Sequence, residues 1–228
     1  MTAHNFNKIL FILFLILFLS SCVSFEERAN DFIKNQLYLN TLQTILDQAD
    51  ALIGKKPYEI VIVNNKKFQL DCIGTVSAIF YSAKIDIRKY FLKYKGNGVS
   101  RFYYTLNDMK TIYKENIPEV GDVIFWDNTW DRNEDKIIGN DPLTHAAVVV
   151  KVDSDGTIHY IHLNYVYGVV IEQMNLFHPT VYKDENGKEI NSPMYINSSL
   201  KRHPEHWLSG DLFRRFGGVL KIKEYFLK

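Results

Sequence analysis

A chain of 228 residues is long enough for one well-buried core and short for two. Its 46% apolar and 23% charged residues are ordinary globular usage, which excludes disordered, collagenous and multi-span membrane classes. With 27 basic against 26 acidic side chains the formal charge is +1, leaving no surplus to neutralise a phosphate backbone, so nucleic acid is not an expected partner.

At the N-terminus Lys8 precedes an unbroken apolar run, residues 9–19, which continues into Leu19-Ser20-Ser21-Cys22. Those 11 residues rise about 16 Å as a helix, short of the roughly 30 Å hydrocarbon core, so the run reads as an export signal rather than a membrane span. Leu-Ser-Ser-Cys resembles the lipobox of bacterial lipoproteins, in which the cysteine is acylated and becomes the first residue. The alternative is a plain secretory signal in which Cys22 is incidental. Cys22 and Cys72 are the only cysteines. With Cys22 lipidated, Cys72 is a lone thiol in an oxidising compartment, either buried and inert or present for its chemistry. A Cys22–Cys72 disulfide is the competing arrangement.

Across residues 26–52 the apolar positions Phe32, Ile33, Leu37, Leu42, Ile45, Ala49 and Leu52 recur at helical spacing, with Gly54 as the stop. This predicts an amphipathic helix packed on the domain. Pro57 ends any continuation, and Tyr58-Glu59-Ile60-Val61-Ile62-Val63 reads as a short strand closed by Asn64-Asn65. Between residues 71 and 83 the pattern is helical, with Val76, Ile79, Phe80 and Ala83 on one stripe and Asp71 as N-cap. Cys72 falls in its first turn. Residues 84–116 read as mixed short helix and loop.

From Pro118 the pattern turns to strands at 122–126, 145–152, 157–163 and 168–172, the middle two joined by the turn Asp153-Ser154-Asp155-Gly156. Residues 130–142 form a polar insertion whose place ahead of His145 allows it to touch a substrate. Residues 184–192 are turn-rich. The tail, with Leu212, Phe213, Phe216, Val219, Leu220 and Ile222, is expected to close the core. The resulting division is a signal at 1–21, an N-terminal helix at 22–53 and one domain at 54–228.

Thiol chemistry needs a cysteine made partly thiolate, a base within reach and a third group fixing the base. Cys72 at a helix N-terminus lies where free N–H groups and the dipole favour a thiolate and can hold an oxyanion. His145, opening a Val-rich strand, is the candidate base. His162 and Asn164 on the following strand are both candidates for the third role, whereas His159 alternates to the other face. No His-Glu-x-x-His or paired-Cys spacing occurs, and His203 and His206 lie in a turn-like stretch, so neither metal nor cofactor is expected.

The segment Gly54-Lys55-Lys56-Pro57-Tyr58, followed by Asp71-Cys72-Ile73-Gly74-Thr75-Val76, resembles the NlpC/P60 signature of Gly-x-x-Pro-Tyr and Asp-Cys-Ser-Gly-x-Val. Pro118-Glu119-Val120-Gly121-Asp122-Val123-Ile124-Phe125-Trp126 is similar to the segment ahead of that family's histidine, Thr144-His145-Ala146-Ala147-Val148-Val149 to its His strand, and Asp155-Gly156-Thr157-Ile158-His159-Tyr160-Ile161-His162 to the strand after it. The likeness spans residues 54–172, about half the chain.

The resemblance implies a papain-like α+β fold with a Cys-bearing helix packed on an antiparallel sheet. It makes Cys72 the nucleophile, His145 the base and His162 the orienting residue, and sets Tyr58 and Asp71 beside the oxyanion and substrate. In the related CHAP amidases this strand ends Glu-x-Asn; His162-Leu163-Asn164 occupies those positions, so Asn164 also stands for the orienting role. Ile73 replaces the usual Ser, Ala146 a usual Val, and Glu59-Ile60 a glycine pair that shapes the substrate groove, departures that bear on substrate more than on the dyad. The implied activity is a cysteine peptidase or amidase cutting an amide of the peptidoglycan stem peptide, held at the cell envelope by lipid on Cys22. Two other readings stay open: an inactive envelope lipoprotein that uses the fold for binding, and acyl transfer from the same thioester.

Overall fold

The computed structural model describes residues 3–137, 139–194 and 207–222, with side chains from residue 27 onward. Helix α1 runs Ala3–Leu52 and stops two residues before Gly54, whose φ of +80° ends it in the left-handed region. Two compact units divide it, residues 1–41 and residues 42–228. In the second unit Ile45, Ala49 and Leu52 are fully buried, as their spacing requires. In the first, Phe32, Ile33 and Leu37 are exposed. Among the described residues no helix is long and apolar enough to cross a membrane. The side chain of Cys22, the candidate lipidation site, lies outside the described residues, as do His203 and His206.

The second unit is α+β. After α1 a hairpin pairs β1 (Ile60–Val63) with β2 (Lys66–Gln69) through Asn64 and Asn65, both at positive φ, so the lone strand read from the sequence has a partner. Helix α2 (Cys72–Ser82) follows, then a short 3₁₀ segment (Ile87–Lys93) and α3 (Gly98–Asp108). The remaining strands are β3 (Ile112–Tyr113), β4 (Val123–Trp126), β5 (His145–Val152), β6 (Thr157–Asn164), β7 (Gly168–Asn175) and β8 (Phe213–Gly217). They form one antiparallel sheet in the order β3-β8-β4-β5-β6-β7.

Both faces of this sheet are covered, so β4 is buried at every position. On one face Phe125 meets Phe102 and Tyr103 of α3 with ring centroids 5.7 and 5.3 Å away, and α2 packs on β5 and β6. On the other, Ile124, Trp126, Ala147, Val149, Ile158, Tyr160 and Phe216 form a cluster closed by Met194 and Leu212. The tail therefore does more than close the core: β8 lies between β3 and β4. Trp126 is anchored there as well, its Nε1 donating to the Ser209 carbonyl at 2.7 Å.

Candidate active site

Helix α2 is started by Asp71, whose extended backbone and carboxylate suit an N-cap; Oδ1 accepts from the Gly74 N–H at 2.5 Å. Gly74 is required by close approach, since a Cβ there would meet the Gln69 carbonyl oxygen at 1.9 Å. The Asp-Cys-x-Gly string is thus a docking device that fixes the first turn of α2 against the end of β2. Ile73 lies against Gly98 of α3.

The Cys72 sulfur is met by the backbone N–H groups of Cys72, Ile73 and Ala146, which places it beside the start of β5. Cys72 is a free thiol. Although part of the residue is exposed, its sulfur is surrounded by protein, and burial pushes the thiol up to about 12, with the Asp71 carboxylate raising it further against those three N–H groups. This corrects the expectation of a resting thiolate: at a buried helix N-terminus desolvation outweighs the dipole.

His145 is 4% exposed, and its Nε2 lies 2.8 Å from Nδ1 of His162, itself 3% exposed. Burial, and secondarily His162, hold His145 well below its ordinary value of 6.5, so it is a neutral imidazole able to accept a proton. With Nε2 engaged by His162, Nδ1 is the remaining ring nitrogen of His145. Behind this pair His162 Nε2 lies 3.0 Å from Glu172 Oε2, close in distance but off the ideal hydrogen-bond line. Glu172 Oε1 accepts from Asn164 Nδ2 at 3.0 Å.

Of the two polar candidates on β6, then, His162 meets His145. Asn164 instead holds Glu172 and caps the β6–β7 turn, its Oδ1 accepting from the N–H groups of Val166 and Tyr167 at 2.9 and 3.3 Å. His159 points elsewhere and pairs with Asp153 at 2.7 Å, in keeping with the alternation along β6. Glu172 escaped the sequence reading, yet a register was available for it. With the turn at 165–167, Asn164 faces Gly168 and Tyr160 faces Glu172, which sets the carboxylate on the His162 face.

The two histidines open into a cavity of about 270 Å³ lined also by Tyr58, Trp130, Tyr165 and Met194. Tyr58 has a φ of +64°, an uncommon backbone for a tyrosine, and is held by its N–H to the Leu70 carbonyl at 2.7 Å. Its ring lies 6.0 Å from that of Tyr165. The Tyr165 hydroxyl lies beside the Cys72 N–H, and burial raises its pKa. The 54–58 segment is secured at its other end, where Gly54 and Lys55 pair with Val169 at 2.8 Å and Gly168 leaves room for the Lys55 carbonyl.

Of the described residues of the polar insertion Trp130 reaches the cavity wall, beside Thr129 just ahead of it. Thr144 anchors them, its Oγ1 accepting from the Thr129 N–H at 2.9 Å. Among the described residues no group of three or more His, Cys, Asp or Glu is arranged to hold a metal ion. The site can thus perform general-base attack by a thiol on a carbonyl, with the proton leaving toward a buried imidazole. Compared with known protein families, with characterised proteins and with solved structures, the chain matches none.

Proposed function

We propose that this chain is a cysteine-dependent amide hydrolase with a papain-like fold of the NlpC/P60–CHAP type, acting on the stem peptide of peptidoglycan from a lipid anchor on Cys22. The observation that carries the reading is the convergence of the Cys72 thiol, at the start of α2, with the first residues of β5, where His145 is oriented by His162 at 2.8 Å. A lone thiol, a neutral base and a third group that orients it are the parts such chemistry requires.

The reaction begins with a thiol rather than an ion pair. As the sulfur attacks the amide carbon, its proton passes to Nδ1 of His145, and the Cys72 N–H faces the developing oxyanion once substrate displaces the Tyr165 hydroxyl from it. Collapse expels the amine, which takes the proton from His145 and leaves a thioester on Cys72. Water, deprotonated by the same nitrogen, then releases the carboxylic acid and restores the thiol. The aromatic walls of Tyr58, Trp130 and Tyr165 hold the acyl portion.

Incubation with purified muropeptides, followed by mass analysis of products, tests the reading: wild type yields a new amine and carboxylate, and Cys72→Ala yields neither. Capture of the acyl group by an added amine marks acyl transfer instead. An unchanged substrate that nonetheless binds marks the inactive lipoprotein reading. The anchor is tested separately by incorporation of labelled fatty acid, which Cys22→Ser abolishes.

A further inference from the structure

Between His145 and His162 a single hydrogen bond of 2.8 Å can run in either direction. If His145 donates from Nε2, its Nδ1 is bare and can take the thiol proton. If His162 donates from Nδ1, the proton of a neutral His145 sits on Nδ1, the nitrogen to which the hydrolase reading sends the thiol proton, and blocks the transfer. Something beyond the two rings has to choose.

We propose that Glu172 makes that choice, as the positioning residue at the end of a Cys72–His145–His162–Glu172 relay; this rests on the hydrolase reading above. Its Oε2 lies 3.0 Å from His162 Nε2, an ion-pair contact outside hydrogen-bond geometry, its side chain is 17% exposed, and β7 register sets it on the His162 face, so the nearer His162 nitrogen is the one its charge favours for the proton. An ionised carboxylate only accepts, so it draws the His162 proton to Nε2. Nδ1 of His162 is then bare and accepts from Nε2 of His145, and the base nitrogen of His145 is left free. The carboxylate is itself aimed by Asn164, whose Nδ2 donates to Oε1 at 3.0 Å. Asn164 therefore acts two steps behind the base, through Glu172 rather than on a histidine.

The isosteric Glu172→Gln variant is the sharpest test, because Asn164 decides which way the new amide points. Its N–H claims the amide oxygen, which turns the amide nitrogen toward His162 Nε2 as a donor. Both imidazole tautomers then reverse without loss of volume. Nitrogen NMR of the histidine side chains and iodoacetamide labelling of Cys72 at pH 7 are measured on the full chain, for wild type, Glu172→Gln and His145→Ala.

In wild type His145 carries its proton on Nε2. In Glu172→Gln the proton moves to Nδ1, and labelling slows by about 100-fold, toward the rate of His145→Ala, while the unfolding midpoint stays near wild type. Wild-type His145 protonated on Nδ1, or a Glu172→Gln protein with the wild-type tautomer and rate, overturns the proposal. Should Glu172→Gln fail to fold, Glu172→Asp decides it: the Nε2 tautomer is retained there, and the Nδ1 form overturns it. If wild type labels no faster than His145→Ala, the hydrolase reading fails, and the tautomers still decide the role of Glu172.

Discussion

The Cys72 thiol and the His145 imidazole are both neutral at rest, and for one cause: each is enclosed by protein that penalises its charged form. For His145 the shift is downward, so its base form persists well into acid. Under the proposed hydrolase reading, kcat/KM is therefore expected to lose activity only with a midpoint below 6.5 and to stay level to about pH 9, since neither group titrates between. A thiolate–imidazolium pair would instead bring an alkaline limb near the ordinary thiol range. Asp71 supplies a second residue-level test. After burial it is the largest influence raising the thiol, and it also caps α2. Asp71→Asn keeps an accepting oxygen and removes the charge, so the Cys72 pKa, read by labelling rate against pH, falls below the wild-type value. Stability to urea is expected to change by less than about 0.5 kcal/mol, because Asn caps as well as Asp.

At the scale of elements the site depends on how tightly α2 is seated. Gly74 is the contact that seats it, and Gly74→Ala forces the helix start away from the Gln69 carbonyl. The expected cost is about 1–3 kcal/mol in the urea unfolding free energy, together with slower labelling of Cys72 as the sulfur leaves the N–H of Ala146. Elements differ in how openly their residues declare them. The N-cap of α2, the Asp153–Gly156 turn and the alternation in β5 and β6 depend on neighbours in the chain, so local chemistry announces them. Helix α1 shows the opposite: Phe32, Ile33 and Leu37 have the spacing of a buried stripe and are exposed, because periodicity reports a face without naming what covers it. Ile73 is similar, since the helix it packs on, α3, was no more than mixed helix and loop in the sequence pattern.

For the whole molecule two buried groups pull the pH dependence of stability in opposite directions. The folded value of His145 lies below 6.5, so its contribution is present above that pH and is lost as pH falls below it. Asp122 lies between β3 and β4, accepting from the Tyr113 hydroxyl and from the Glu119 N–H at 3.0 Å. Burial raises it from 3.8 to about 6, so its contribution is present below 3.8 and is lost as pH rises through about 6. Asp122→Asn removes only the second effect. Unfolding free energies measured from pH 4 to 8 should show the variant gaining on wild type as pH rises, and a constant difference would refute the assignment.

The positions of β4 to β7 along the chain, the seat of Cys72 on a capped helix and the partition of β6 into a site face and an outer face all follow from spacings of two to four residues, and these are written in the chain. What folding decided is of longer range. It placed β8 between β3 and β4, chose His162 over Asn164 as the neighbour of His145, brought Glu172 behind them, and left Cys72 a buried thiol where its helix position alone favours a thiolate. The reason is physical: alternation and capping depend on neighbours along the chain, whereas desolvation and cross-strand contact depend on what residues far away in sequence bring to the same few ångströms.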